Sequence, residues 1–443
     1  MSLFIIKQFH HQIIRRCKQM GSVGGALLLA SCAVYQPQPL DLARDTEEWA
    51  KVSAELCGGR KELSAQDMRR IGLLLNPALN KARLSYARSS SVAEFAGLWE
   101  DPSLSVELER VVQEHITNGA VSPAISIPVT GIPAISRKVA ELYKEADYWN
   151  MREQERAYLS QLDVLRAKVQ VTHVKLETLQ SRLREAQQEK EKVQELYKLG
   201  EVSFADLQVM NRRVSELLRD VQEMESEHLK LHLELATHLG LHPSVRHIEI
   251  AEHLPKVVPS MVPAPAPEKL LEHPAIKAQL AAYGAGEEEL RREIRKQYPQ
   301  LELGFKYARD GGNDKLGPGI GFNIPLWNRN REAIARADGD REVKRQEAVQ
   351  CWRELMMQVN SLADRGELAE KHCREELERT RVLAEAVKHQ QELYQLGEIT
   401  LPELADARHE HFLRRVSFLD CLLNLMEIRT ELQYFNPDFT EKQ

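Results

Sequence analysis

Several classes of protein are excluded by what this chain lacks. Its six cysteines (Cys17, Cys32, Cys57, Cys351, Cys373 and Cys421) are scattered and include no C-x-x-C pair, which argues against a disulfide framework and a clustered zinc module. No excess of basic charge exists: 66 acidic residues outweigh 60 basic ones, the net charge is -6, and no basic block stands out. Nucleic-acid binding therefore has no support. Apolar residues reach 43% without forming the long runs that a bundle of transmembrane helices requires. A phosphate-cradling loop, a dinucleotide fingerprint and a catalytic triad are all missing. The chain reads as a non-enzyme with no cofactor, and any energy source lies in another protein. With 28% charged residues over 443 positions it is also not a disordered polymer.

The beginning is ordered like a secretion signal. Lys7, Arg15, Arg16 and Lys18 precede a small-to-apolar stretch from Gly21 to Ala30, too short to span a bilayer permanently. Leu29-Ala30-Ser31-Cys32 resembles the bacterial lipoprotein motif, in which the cysteine is acylated and becomes the mature N-terminus. Residues 1–31 are thus read as signal peptide and Cys32 as the lipidation site, with 32–60 as a tether that includes Gln36, Pro37, Gln38 and Pro39. Acyl chains on Cys32 would anchor the chain to lipid without a crossing helix.

An internal repeat organises the rest. Asn76-Pro77-Ala78 returns as His273-Pro274-Ala275, Pro102-Ser103-Leu104 as Pro299-Gln300-Leu301, and Pro128 as Pro325. Glu195-Leu196-Tyr197-Lys198-Leu199-Gly200-Glu201 returns as Glu392-Leu393-Tyr394-Gln395-Leu396-Gly397-Glu398, always at an offset of 197. The repeats occupy 61–250 and 271–432, with a linker at 251–270 and a tail at 433–443. Pro255, Pro259, Pro263, Pro265 and Pro267 make that linker a semi-rigid strap.

Periodicity changes in the same order within each repeat. A helical stretch, Leu63 to Phe95 or Ala275 to Gln297, comes first. Leu104, Val106 and Leu108 then alternate with Ser103, Ser105, Glu107 and Glu109, as Leu301, Leu303, Phe305 and Tyr307 do with Glu302, Gly304 and Lys306. A second alternation follows, with Ile125, Ile127 and Val129 in one copy and Ile320, Phe322 and Ile324 in the other. Period two means a strand with one apolar and one polar face. Each repeat therefore carries a hairpin of strands about 8–10 residues long, the length that crosses a membrane when tilted. Four strands cannot close a barrel with a lumen, and lipid does not tolerate open edges. Either the strands form a small soluble sheet or several chains pool them.

Residues 131–199 and 328–396 contain no proline except Pro133, and read as helices of roughly 100 Å. Leu162, Leu165, Val169, Leu176, Leu179 and Leu183 supply a coiled-coil seam. The rods turn at Gly200 and Gly397, suited to helix C-caps. Return helices begin after Ser203 and Thr400, both candidate N-caps, with Glu403 three residues beyond Thr400.

Asn76-Pro77-Ala78-Leu79 with downstream Gly97-Leu98-Trp99-Glu100-Asp101-Pro102 and a strand resembles the TolC-like outer membrane efflux family. The stretch from Gly319 to Ala337, with Pro325-Leu326-Trp327-Asn328-Arg329-Asn330 at its centre, is similar to the heavy-metal cation branch. Only the second copy carries that signature, since the first has Gly131-Ile132-Pro133 where the second has Asn328-Arg329-Asn330. The resemblance covers about 60–431. It implies a mainly α chain with a membrane β-barrel: long coiled-coil helical hairpins and four strands per subunit, completing a 12-stranded barrel and an α-helical tunnel as a homotrimer. It also implies a passive exit duct of a tripartite efflux system in the outer membrane of a Gram-negative bacterium. An inner-membrane RND-type pump and a periplasmic adaptor would be its partners, beside outer membrane lipid.

On that reading the apolar strand positions face lipid, and Glu107, Glu109, Glu302, Lys306 and Asn323 face the lumen. Trp99, Tyr298, Tyr307 and Trp327 lie near strand ends, where interfacial aromatics are favourable. The adaptor-docking tips are Tyr197, Leu199, Gly200, Glu201, Val202 and Ser203 with Tyr394, Leu396, Gly397, Glu398, Ile399 and Thr400. Asp206 and Glu403, with Glu201 and Glu398, are the acidic candidates for the entrance. His372-Cys373, His389, His409 and His411 lack metal-ligand spacing and read as surface or packing residues, so no metal site is expected. Two alternatives stand beside the duct: a non-conducting outer-membrane-anchored coiled-coil scaffold lipoprotein and a soluble adaptor-like subunit. Cations, drugs and polypeptides remain open as cargo.

Overall fold

The computed structural model describes residues 35–58, 62–111, 116–245, 248–250, 254–255, 257–310, 313–323 and 326–436. The signal segment and Cys32 lie outside them. The chain divides into two units, Met1–Glu48 and Trp49–Gln443. In the first, residues 35–41 have no regular structure and helix α1 (Leu42–Cys57) begins, its Asp41 carboxylate accepting from the Arg44 N–H at 3.1 Å. The segment read as a tether thus holds a helix of 16 residues.

Strand β1 (Glu62–Leu63) leads into helix α2 (Ala65–Leu75) and helix α3 (Pro77–Phe95). The sequence suggests one helix here, and the structure breaks it at Asn76. The reason is local. Pro77 holds the preceding residue out of the helical region, and Asn76 is extended at φ −61°, ψ 121°, so its side chain is free to cap α3. Strands β2 (Ser103–Val111) and β3 (Ile116–Ile127) follow, then helix α4 (Ile132–Leu199) and helix α5 (Phe204–His238). Strand β4 (Glu249–Ile250) pairs in parallel with β1. Helix α6 (Pro267–Leu270), helix α7 (Pro274–Arg295), strands β5 (Gln300–Asp310) and β6 (Asn313–Asn323), helix α8 (Arg331–Gln395) and helix α9 (Leu401–Tyr434) repeat the pattern. The last helix runs through Tyr434, which is buried.

The two rods, α4 with 68 residues and α8 with 65, are as long as the proline-free stretches imply. Their hydrophobic contacts repeat at the sequence offset. Leu79, Tyr158, Leu162, Leu165, Leu231 and Leu235 build one core. Ile276, Leu355, Val359, Leu362, Ile428 and Leu432, each 197 positions later, build the other. The strap packs on the second core: Val258 is buried in it, and the Met261 N–H donates to Glu370 at 2.8 Å.

Candidate functional site

Two regions carry the chemistry that the fold offers. The first is an antiparallel sheet of four strands in the order β2-β3-β5-β6. Its register gathers the apolar residues on one face. Val106 is paired with Val121, Val121 with Tyr307, and Tyr307 with Leu316. Ile125 is paired with Leu303 and Leu303 with Ile320. This face is uncovered: Leu104, Val106, Leu108, Phe305, Leu316, Ile320 and Phe322 are all more than 60% exposed. Val121 and Leu316 belong to it and were not picked out by alternation in the sequence, because glycines and prolines around them blur the period.

The opposite face is polar and small. Glu107, Glu109, Glu302 and Lys306 share it with Ser105, Ser122, Ala124, Ser126, Gly319 and Gly321. Lys306 Nζ meets Glu107 Oε2 at 3.1 Å across β3. Asn323 pairs with Gln300 at the end of the β5–β6 ladder. Strand β3 ends at Ile127, so Val129 and Pro128 fall in the turn beyond it and not in the strand. The strands run to 9, 12, 11 and 11 residues, somewhat longer than expected. The in-strand prolines are Pro123 and Pro318. Around Pro123 the β3–β5 ladder skips from Val121 to Ala124, as a residue without an N–H requires. A Cβ at Gly304 would lie 2.6 Å from the Pro123 carbonyl oxygen, so that close approach needs glycine. Both outer strands, β2 and β6, keep one edge without a partner strand among the described residues.

The second region is the pair of helical turns. Gly200 and Gly397 both sit at φ 77°, the left-handed region that glycine enters freely. At each, the following N–H reaches back five residues: Glu201 N to the Leu196 carbonyl at 3.0 Å, and Glu398 N to the Leu393 carbonyl at 2.9 Å. These bonds satisfy the last carbonyls of the rods. The return helices start alike. Asp206 Oδ2 accepts from the Ser203 N–H at 3.0 Å and its hydroxyl at 2.7 Å. Glu403 Oε2 accepts from the Thr400 N–H at 2.7 Å and its hydroxyl at 2.9 Å. Both carboxylates are held below the usual range by these bonds, that of Asp206 chiefly by the Ser203 hydroxyl and that of Glu403 chiefly by the Thr400 N–H. Each is engaged in a helix cap; Glu201, Glu398 and Glu403 are exposed and Asp206 is half-buried.

A small core joins the two turns. Val193 and Met210 of the first hairpin pack with Leu401 and Ala405 of the second, and Leu196, Val202, Leu207 and Tyr394 lie against them. Ile399 is half-buried, Tyr197 is 40% exposed, and Leu199 and Leu396 project at 73% and 72%. Behind this core Arg182, buried, meets Glu189 at 2.8 Å. Arg408 reaches the same carboxylate at 3.0 Å and also hydrogen-bonds Gln391. In the rotamers present, the described residues bring no three His, Cys, Asp or Glu side chains together around one metal position.

Solved structures of outer membrane proteins and channels share this fold. CusC, described for its transmembrane channel formation, superposes at a TM-score of 0.72 with 15% identity, covering 84% of this chain and 91% of its own. VceC, an outer membrane protein of Vibrio cholerae, gives 0.67 at 14% identity over 85% of this chain and 95% of its own. The open state of the MtrE outer membrane channel of Neisseria gonorrhoeae gives 0.66 at 15% identity over 84% and 88%. No protein-family model matches the chain, and no curated relative matches it. The chain thus has the fold of the TolC-like outer membrane channels.

Proposed function

We propose that this chain is the outer membrane exit duct of a tripartite efflux system and acts as a homotrimer. The observation that carries this reading is the sheet: one apolar, solvent-exposed face, one face of small and charged residues, and two edges open for pairing. A soluble sheet would cover an apolar face of this extent. Lipid covers it at no cost, and β6 of one subunit pairing with β2 of the next removes every edge. Three subunits then supply twelve strands, with Glu107, Glu109, Glu302, Lys306 and Asn323 towards the lumen and the paired rods extending below as a tunnel.

Cys32 would carry the acyl anchor to outer membrane lipid. Leu199 and Leu396, exposed beside their glycine turns, are the knobs that a periplasmic adaptor would grip, with the RND-type pump beyond it supplying energy. Conduction is passive and needs no catalytic group. Glu201 and Glu398, exposed at the turns, with Asp206 and Glu403 behind them, would give the entrance a preference for cations.

Edge pairing is testable directly. Within one sheet β2 and β6 are three strand spacings apart, about 14 Å, too far for a disulfide. One cysteine on β2 and one on β6 of the same chain, with the native cysteines other than Cys32 replaced, therefore cross-link only between subunits. Ladders ending at a covalent trimer are expected; chains that stay monomeric under oxidation at every pair tested contradict the pooled barrel.

A further inference from the structure

The 197-residue symmetry fails at one place that has a chemical meaning. His173 on α4 and His228 and His232 on α5 have as their counterparts Glu370, Leu425 and Arg429. In the second repeat that face lies under the strap: Glu370 accepts the Met261 N–H, Arg429 donates to the Ser260 carbonyl at 3.0 Å, and Leu425 is fully buried. In the first repeat the same positions gather three imidazoles. His228 and His232, one helical turn apart, bring their Nε2 atoms to 3.1 Å. The His173 ring lies 5.5 Å from that of His228, centroid to centroid, and its Nε2 is 3.4 Å from Glu177 Oε1.

We propose that His228, His232 and His173 form a binding site for a divalent transition-metal cation of the zinc and copper(II) class, bridging α4 and α5. Two nitrogens on one tetrahedral metal ion stand roughly 3.3 Å apart, close to the separation of the His228 and His232 Nε2 atoms. Imidazole nitrogen is the ligand that suits these ions. The pair supplies two ligands. His173, whose side chain is 56% exposed, supplies a third by turning its ring between staggered rotamers and away from Glu177. Glu177 then serves as a hydrogen-bond acceptor or a further ligand. The sequence gives only the i, i+4 pair; His173 joins it through the packing of α4 on α5, 55 positions away from His228.

The test reads metal binding, so it does not depend on conduction through the duct. Zn²⁺ is titrated calorimetrically into the detergent-extracted full chain, purified without a histidine tag. One saturable site per chain is expected, weakened at least tenfold in His228→Asn/His232→Asn, several-fold in His173→Asn and not at all in a His372→Asn control. Wild-type protein that binds no Zn²⁺ saturably, or a double variant that binds it equally well, overturns the proposal. Copper(II) electron paramagnetic resonance on the unmodified chain gives a readout independent of variant folding. Hyperfine splitting from two or three nitrogens supports the site, and an all-oxygen spectrum contradicts it.

Discussion

Asn76 and His273, 197 residues apart, do the same work with different chemistry. Each precedes a proline at the first position of a helix and caps that helix with its side chain. Asn76 Oδ1 accepts the N–H groups of Ala78 at 2.9 Å and Leu79 at 3.2 Å, while His273 Nδ1 accepts that of Ala275 at 3.3 Å. Only the second cap can titrate. His273 is buried against Phe435, and this burial, with the nearby Arg156 charge, pulls its imidazole down to about 4. A lowered folded-state pKa means that the neutral form is the folded form. Its contribution is therefore complete above about pH 6.5 and is lost as the pH falls through that range towards 4. His273→Asn installs the residue that the first repeat already uses. The slope of stability against pH between about 6.5 and 4 is expected to flatten in this variant, measured by thermal unfolding at stepped pH.

The glycine turns act through backbone conformation alone. At Gly200 and Gly397 an added Cβ would meet nothing within 4 Å, so any cost of substitution comes from φ 77°. Gly200→Ala and Gly397→Ala should each cost about 1–2 kcal/mol, and Gly200→Asn less. Hydrogen exchange at the Glu201 and Glu398 amides reports the loosened turns; unchanged protection in the alanine variants would contradict this account.

Glu189 holds two arginines at once. Glu189→Ala leaves Arg182 buried without its principal partner and leaves Arg408 with Gln391 alone of the two partners named above. A loss of about 3–5 kcal/mol is the usual result of breaking a buried pair from one side. The double change Arg182→Leu/Glu189→Leu should recover much of it. Denaturant unfolding of the extracted protein measures both.

The projecting leucines separate docking from assembly. Leu199→Glu with Leu396→Glu alters side chains that are almost three-quarters exposed and spares the small core beneath them. Trimer mass and bilayer insertion should be unchanged, while pull-down of the periplasmic adaptor is lost. Retention of the adaptor by the double variant would place docking elsewhere.

The repeat made most of this architecture legible from sequence, because each weak signal was made twice. Rod lengths, glycine turns and both N-caps followed from residue types whose local physics decides the outcome. The break at Asn76 was missed because hydrophobic periodicity continues across it and only the Asn-Pro pair interrupts the backbone. Val121 and Leu316 were missed because Gly119, Pro123, Gly317 and Pro318 obscure the alternation that pairing across strands makes plain. The core that joins the two turns, with Val193 against Leu401, depends on contacts about 200 residues apart that no local pattern encodes.

If three of these chains make a pore, single-channel recording in a planar bilayer detects it. Detergent-extracted protein of confirmed trimeric mass should give discrete, long-lived openings with a mild preference for cations, reduced in Glu201→Gln/Glu398→Gln. A trimer that inserts and stays silent, in the native form and with the turns loosened by Gly200→Ala/Gly397→Ala, would contradict the duct and leave a sealed scaffold in its place.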